Sequence, residues 1–180
     1  MWGGEDWNAG TNWQDLSSGG VYDSATDTWT ATSTNGVPTM DASWTGAHSA
    51  AWTGTEMLIF GGTVEANLYR YDPAANSGAG QWTASAATQN IPVDTGNYTM
   101  KMASHAWIGS KFLVWGGSYT NVGGLYDPVA DSWISTAATN APGARTYTSQ
   151  SGVWTGTQFI VWGGYSSSFA CLNTGGVFTP

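Results

Sequence analysis

Two carboxylates and two tryptophans lie close together near the amino terminus, in a long segment of residues 5–18 that follows a Gly-Gly doublet. Asp6, Trp7, Trp13 and Asp15 have the side chains of a binding site, because indole rings stack on a partner and carboxylates fix its orientation. The partner would be a glycan or a protein loop. The alternative is that the segment folds over its own tryptophans, and the sequence leaves both interpretations open.

Further aromatic and acidic residues occupy comparable places later in the chain. Asp41 and Trp44 precede an apolar run, and for Trp44 we favour a structural role. Tyr119 and Tyr165 each follow another Gly-Gly doublet. We predict that these residues join the amino-terminal set on one face of the molecule. Other candidates for that face lie in equivalent stretches: Asp94, Tyr98 and Arg145.

Catalytic and metal-binding motifs are not found in the sequence. There is no phosphate loop, no Cys or His pair at zinc spacing, and no nucleophile elbow with triad partners. His48 and His105 lie just before tryptophans of apolar runs, which favours structural roles, and Cys171 has no cysteine to pair with. The sequence therefore predicts no catalytic residue, no cofactor and no metal ion.

Charge excludes two classes of partner. The chain has 4 basic and 12 acidic residues, so it lacks the positive surface that nucleic acids and anionic membranes attract. No apolar run approaches the length of about 20 residues that spans a bilayer, so we expect no membrane insertion. The amino terminus also lacks the basic and apolar regions of a signal peptide.

A repeat of three landmarks organises the chain. Four of the Gly-Gly doublets are spaced 58, 55 and 47 residues apart, and the last three of these four each end an apolar run that begins nine positions earlier with a tryptophan. A Tyr-Asp pair and then another tryptophan follow the first three doublets. The doublets begin at Gly3, Gly61, Gly116 and Gly163, the Tyr-Asp pairs at Tyr22, Tyr71 and Tyr126, and the later tryptophans are Trp29, Trp82 and Trp133.

This order resembles the kelch repeat, in which an apolar strand ending in Gly-Gly precedes a Tyr-Asp turn and a tryptophan-bearing strand. The resemblance covers nearly the whole chain, and the spacing fits the kelch period of about 50 residues. It implies an all-β fold: an arc of a kelch-type β-propeller with four-stranded antiparallel blades, about three and a half of them, in an incomplete ring. We predict a single domain, residues 1–180, whose units are approximately 1–34, 35–88, 89–139 and 140–180.

The second unit illustrates the strands expected in each blade: 49–53, 57–60, 68–71 and 81–84. Stacked blades should bury the repeat tryptophans between them, because one four-stranded sheet cannot bury them alone. The two ends of an open arc would expose apolar faces and unpaired strand edges, from which we predict self-association.

Function is expected to lie in the loops, because a fold alone does not specify it. We interpret the chain as a non-catalytic recognition scaffold for a protein or glycan partner. The alternative is a fragment of a kelch-type propeller enzyme, similar to the carbohydrate oxidases or sialic acid mutarotases, whose active site further blades would complete. Few charges together with many Thr, Ser, Asn and Gln residues are typical of exported bacterial propellers, which favours an extracellular or periplasmic location.

Overall fold

The computed structural model describes residues 1–8, 12–39, 47–62, 67–93, 100–117, 120–148 and 151–180. Its regular structure is almost entirely antiparallel β-sheet. An amino-terminal ribbon and a first sheet each contain two strands: β1 (Glu5–Asn8) with β2 (Asn12–Asp15), and β3 (Gly20–Asp23) with β4 (Thr28–Ala31).

Three larger sheets follow, and each runs from strand to neighbouring strand in chain order. The second sheet contains β5 (Ser49–Trp52), β6 (Met57–Phe60), β7 (Leu68–Asp72) and β8 (Gln81–Ala84). The third sheet contains β9 (Ser104–Trp107), β10 (Phe112–Trp115), β11 (Gly123–Asp127) and β12 (Ser132–Ser135). The fourth sheet contains β13 (Gly152–Trp154), β14 (Phe159–Trp162) and β15 (Gly175–Phe178). The strands predicted for the second unit are confirmed to within one residue.

Glycine allows the tight turns between the first and second strands of the larger sheets. Gly54, Gly109 and Gly156 have φ angles of 110°, 89° and 102°, in a region that side chains other than glycine rarely adopt. Each of these turns therefore uses the conformational freedom of glycine.

The single helical segment among the described residues is α1 (Ala75–Gly78), between β7 and β8. Its two central residues, Asn76 and Ser77, have left-handed φ angles of 54° and 59°. A right-handed helix cannot contain this conformation, so α1 is a turn that lengthens the connection and not a structural helix. The expectation of an all-β fold is thus met.

The sheets pack face to face in chain order, and their second strands form the core. Leu58 and Phe60 of the second sheet meet Phe112 and Val114 of the third. At the other two interfaces β6 and β10 contribute the residues that point to their opposite faces, because successive side chains of a β-strand alternate between the two faces of the sheet. They join Trp2, Ile59 and Trp82 between the first and second sheets, and Leu113, Trp115, Phe159 and Val161 between the third and fourth.

One aromatic contact recurs at successive interfaces. The ring centroids of Phe60 and Trp133 lie 4.9 Å apart, and those of Trp2 and Trp82 lie at the same 4.9 Å. In both cases the aromatic residue just before a Gly-Gly doublet meets the tryptophan of the next sheet's fourth strand. The first strands of the second, third and fourth sheets also contact each other, so the larger sheets share an inner edge.

The expectation that all repeat tryptophans are buried is wrong for three of them. Trp29, Trp52 and Trp162 are exposed. Trp29 and Trp162 lie on the outer faces of the first and fourth sheets, where no further sheet packs among the described residues. Trp52 lies at the end of β5, beside the narrow first sheet. The division into four units remains a prediction.

Candidate functional site

The segment predicted as a long loop, residues 5–18, contains the amino-terminal ribbon. β1 and β2 pair with Asp6 opposite Gln14 and Trp7 opposite Trp13. The ribbon continues the pairing of the first sheet, since the Leu16 amide donates to the Gly4 carbonyl at 2.8 Å. Hydrogen bonding thus pairs residues 5–8 with residues 12–15, which the sequence reasoning missed because it predicted a loop there. The fourth sheet has a comparable arrangement, since the Leu172 amide donates to the Gly164 carbonyl at 2.9 Å.

Charge on the ribbon is negative. Glu5 lies opposite Asp15 in the register, Asp6 is exposed, and Asp15 is half-buried. This end of the ribbon therefore presents carboxylates from both strands.

An aromatic surface lies at the fourth sheet. Tyr165 packs edge to face on Tyr147, with ring centroids 5.6 Å apart and an interplanar angle of 75°. The two side chains are 41% exposed at Tyr147 and 38% at Tyr165. Reciprocal backbone hydrogen bonds of 3.0 Å between Thr146 and Tyr165 hold the two segments together. Phe169, in the loop after Tyr165, is also exposed.

Sequence reasoning missed Tyr147, although it lies two residues after Arg145 in a stretch already predicted to contribute to the binding face. Its left-handed φ of 54° turns the chain just after the Thr146 contact with Tyr165. The signal that could have identified Tyr147 was the presence of an aromatic residue in that stretch.

Arg145 is buried beneath this surface and serves as its structural anchor. Nε donates to the Gly143 carbonyl at 3.0 Å, and Nη1 donates to the carbonyls of Gly163 and Thr174 at 2.9 and 2.8 Å. The guanidinium carbon lies 6.0 Å from the ring centroid of Trp115. Loss of hydration lowers the pKa of Arg145. The guanidinium therefore links the segment before the fourth sheet, at Gly143, and the loop between β14 and β15, at Gly163 and Thr174, to the third sheet. It is turned inward and not toward the exposed surface.

Five of the predicted face residues cannot be placed. Asp41, Trp44 and Tyr119, with Asp94 and Tyr98, lie outside the described residues. The backbone register places Trp7 opposite Trp13, and the structure brings Tyr165 together with the unpredicted Tyr147. That the predicted residues form one binding face stays a prediction.

Aspartates of the repeat have structural partners, as expected for turn residues. Asp72 and Asp127 accept hydrogen bonds from backbone amides two residues later, at 2.8 and 2.9 Å. Asp131 accepts hydrogen bonds from the hydroxyls of Tyr126 and Ser85, and from the Ala86 amide at 2.8 Å. Ser85 and Ala86 follow the last strand of the second sheet, so Asp131 links two sheets.

Both histidines are largely removed from water and contact neighbouring residues. The pKa of His48 is lowered by burial and then by the nearby His105, and its ring packs edge-on against Trp2. Burial also lowers the pKa of His105, whose Nδ1 lies 3.1 Å from the Ala103 carbonyl oxygen. Cys171 is exposed. Among the described residues no group of three or more His, Cys, Asp or Glu side chains could hold a metal ion.

Sheets of four antiparallel strands, packed face to face and joined at their inner strands, define a β-propeller arc that does not close into a ring. A solved structure of the same class, YjhT, a kelch-type propeller protein, is similar to the chain with a TM-score of 0.52 and 20% sequence identity. The match covers 76% of this chain and 37% of YjhT. At this identity the likeness shows the fold alone.

No protein-family model and no curated protein matches the chain, so these comparisons do not confirm that it belongs to the kelch repeat family. In the part of the chain that the structure describes, no helix is long and apolar enough to cross a membrane.

Proposed function

We propose that the protein is a non-catalytic recognition scaffold that binds a glycan or protein partner through loops on one face of the propeller arc. The observation that carries this proposal is the exposed Tyr147–Tyr165 pair, anchored by Arg145. Exposed aromatic rings held in a fixed geometry offer a large contact area at a small entropic cost.

The surroundings of the tyrosine pair favour a neutral glycan over a charged protein segment. Ser166 and Ser168 follow Tyr165, and their hydroxyls are hydrogen-bonded to each other at 2.9 Å. Hydroxyl groups both donate and accept, as the hydroxyls of a sugar do. The one charged side chain in this cluster, Arg145, is turned inward to backbone carbonyls. Aromatic faces and neutral hydrogen-bonding groups together fit a sugar ring.

The ribbon would supply a second point of contact. Its backbone register places Trp7 opposite Trp13, which is the arrangement that two residues acting together on one ligand require. A ligand that bridged the ribbon and the tyrosine pair would span the arc, so we expect an extended oligosaccharide to bind more tightly than a monosaccharide.

The test is a binding titration of the chain with a panel of neutral oligosaccharides containing glucose, galactose or N-acetylglucosamine, followed by isothermal calorimetry. Tyr147→Ala and Tyr165→Ala should each weaken binding about tenfold, the effect of losing a contact of about 1.4 kcal/mol. Tyr22→Ala is the matched control, because Tyr22 is also exposed but lies on the first sheet. Equal affinity for all three variants would contradict the proposal.

Replacing Trp7 and Trp13 by Ala together separates the two interpretations of the ribbon. If the tryptophans bind a partner, the thermal midpoint stays nearly unchanged while affinity falls. A large drop in the midpoint, of the kind that follows loss of packed aromatic side chains, would show that they are structural.

A further inference from the structure

The loop between β14 and β15 carries a phenylalanine in a strained conformation. Phe169 has a φ angle of 57°, in the left-handed region that aromatic residues rarely adopt. Its side chain is 61% exposed, more than that of Tyr147 or Tyr165. Backbone strain of this kind persists only where the surrounding structure enforces it, and it is concentrated at sites of function. Phe169 is therefore a candidate binding residue.

Hydrogen bonds centred on Ser166 enforce the conformation of this loop. The Ser166 amide donates to the Ala170 carbonyl at 3.0 Å, and the Phe169 amide donates to the Ser166 carbonyl at 2.9 Å. The Ser166 hydroxyl oxygen accepts hydrogen bonds from the amides of Ala170 and Ser168 at 3.2 and 3.3 Å. Because these bonds already hold the backbone of the loop, ordering Phe169 on binding would cost little conformational entropy.

The base of the loop is fixed to the tyrosine pair through Arg145. The Nη1 atom of Arg145 donates to the carbonyls of Gly163 and Thr174, which lie at the two ends of the connection between the strands. Between these ends, Tyr165 pairs with Cys171 in an antiparallel bridge. The same buried guanidinium thus anchors both the loop and the tyrosine pair.

Phe169 lies close enough to the tyrosine pair to share a ligand with it. Cα atoms of paired residues in antiparallel strands are about 5 Å apart, and two extended residues span at most about 7 Å. Phe169 lies two residues before Cys171, the partner of Tyr165, so the Cα atoms of Phe169 and Tyr165 are at most about 12 Å apart. Two consecutive sugar units can bridge such a distance.

The loop offers an apolar ring and neutral hydrogen-bonding groups. Residues 165–172 are Tyr-Ser-Ser-Ser-Phe-Ala-Cys-Leu, without a charged side chain. A phenyl ring has no polar group and fits the C–H face of a sugar, whereas the neighbouring hydroxyl groups can donate to and accept from those of the sugar. A charged ligand would find no opposite charge on this loop. The composition of the loop therefore favours a neutral glycan.

We propose that Phe169 determines the length of ligand that the fourth sheet recognises: the Tyr147–Tyr165 pair contacts one unit of a neutral oligosaccharide, and Phe169 contacts the next unit. This inference rests on the proposed function of the tyrosine pair and extends it. The ligand class is a neutral oligosaccharide of at least two units, in which the second unit supplies the apolar face that the phenyl ring covers. A monosaccharide would reach only one of the two aromatic elements.

The experiment measures the affinity of the chain by calorimetry for glucose, cellobiose and cellotriose, and for N-acetylglucosamine with its dimer and trimer. In at least one series we expect the unaltered chain to bind the disaccharide at least about tenfold more tightly than the monosaccharide. Phe169→Ala should reduce this affinity ratio to about 1, and Phe169→Tyr, which keeps an aromatic ring, should retain it. Trp29→Ala is the matched control, because Trp29 is 60% exposed but lies on the first sheet.

An affinity ratio retained in Phe169→Ala while Tyr165→Ala weakens binding would overturn this inference and leave the proposed function standing, as would loss of the ratio in Trp29→Ala. If the unaltered chain binds none of these saccharides, both the inference and the proposed glycan site are overturned. Phe169→Gly tests for a purely structural role, because glycine adopts the left-handed φ without strain. This variant should lose the affinity ratio while its thermal midpoint stays the same or rises. A clear fall in the midpoint would mean that the ring stabilises the loop, which would overturn the inference.

Discussion

The two middle sheets and the two outer sheets place the same residue types in different environments. Trp133, in the third sheet, is 3% exposed, whereas Trp29, at the same repeat position in the first sheet, is 60% exposed. Phe60 at the end of β6 is fully buried, whereas Trp162 at the end of β14 is 62% exposed. Contacts within each sheet do not explain this difference, because the Tyr22–Trp29 and Tyr126–Trp133 ring centroids are 5.1 and 5.2 Å apart.

Burial in this fold is therefore a property of the neighbouring sheet. A single sheet positions the tryptophan over its tyrosine, and only the next sheet removes it from water, as in other stacked-repeat structures. The largest part of the hydrophobic stabilisation should then come from the interfaces that the middle sheets form with their neighbours, because burying a large apolar side chain contributes about 1.5–3 kcal/mol.

Removing equivalent tryptophans from a middle and an outer sheet should give the largest difference. Trp133→Ala should lower the free energy of unfolding by about 3–5 kcal/mol, because it opens a cavity against Phe60. Trp29→Ala should lower it by less than about 1 kcal/mol, since its side chain is mostly hydrated already. Urea unfolding followed by circular dichroism measures both.

The test is the difference between the two variants in the free energy of unfolding that each loses. Each tryptophan packs beside the tyrosine at the equivalent position of its own sheet. Trp29→Ala therefore measures the stability lost when only the contacts within a sheet are removed. Similar losses for both variants would mean that stability resides within sheets and would remove the basis for assigning it to their interfaces.

The repeated strands and turns could be predicted from the sequence, but the environment of their side chains could not. The apolar run Met57–Phe60 and the turn at Gly54 were predictable, because period, length and glycine chemistry are local signals. The exposure of Trp29 was not, since its sequence position matches that of the buried Trp133. Nor was the inter-sheet role of Asp131, which local spacing predicts only as a turn residue.

Aspartates at equivalent positions give a second, smaller contrast. Asp27 and Asp131 each accept a hydrogen bond from the tyrosine hydroxyl of their own sheet, at 2.8 and 2.6 Å. Asp131 also accepts hydrogen bonds from Ser85 and from the Ala86 amide of the preceding sheet. We expect Asp131→Asn to destabilise the protein by about 1.5–3 kcal/mol, the range for hydrogen bonds to a charged group. Asp27→Asn should cost less than about 0.5 kcal/mol.

Acid should remove the contribution of Asp131 in the unaltered protein. Burial opposes ionisation of this carboxyl, but the hydrogen bonds from Ser85, Tyr126 and Ala86 outweigh it and lower its pKa. The stabilisation is therefore present above the ordinary value of 3.8 and is lost as the pH falls through the lowered pKa. Chemical unfolding at several pH values should show a shallower acid-side decline in Asp131→Asn. An unchanged decline would mean that Asp131 does not link the sheets through its charge.

His48 and His105, near the inner edge of the sheets, should have the smallest effect on stability. This effect concerns the interface between the first and second sheets. The pKa of His48 is lowered by burial and by the nearby His105, and its Nδ1 has no hydrogen-bond partner among the described residues. The neutral ring is thus favoured in the folded protein. Stability should be full above the ordinary pKa of 6.5 and should decline as the pH falls from there toward the lowered pKa.

The double variant His48→Gln with His105→Gln isolates this titration, because glutamine keeps a polar side chain but cannot be protonated in this range. The unaltered protein should lose stability between about pH 7.5 and pH 5, and the double variant should lose clearly less. The ring of His48 lies 5.7 Å from that of Trp2, so an unchanged pH dependence would mean that protonation does not strain the interface between the first and second sheets. That interface would then tolerate a buried charge, as expected if the narrow first sheet admits water where the middle sheets do not.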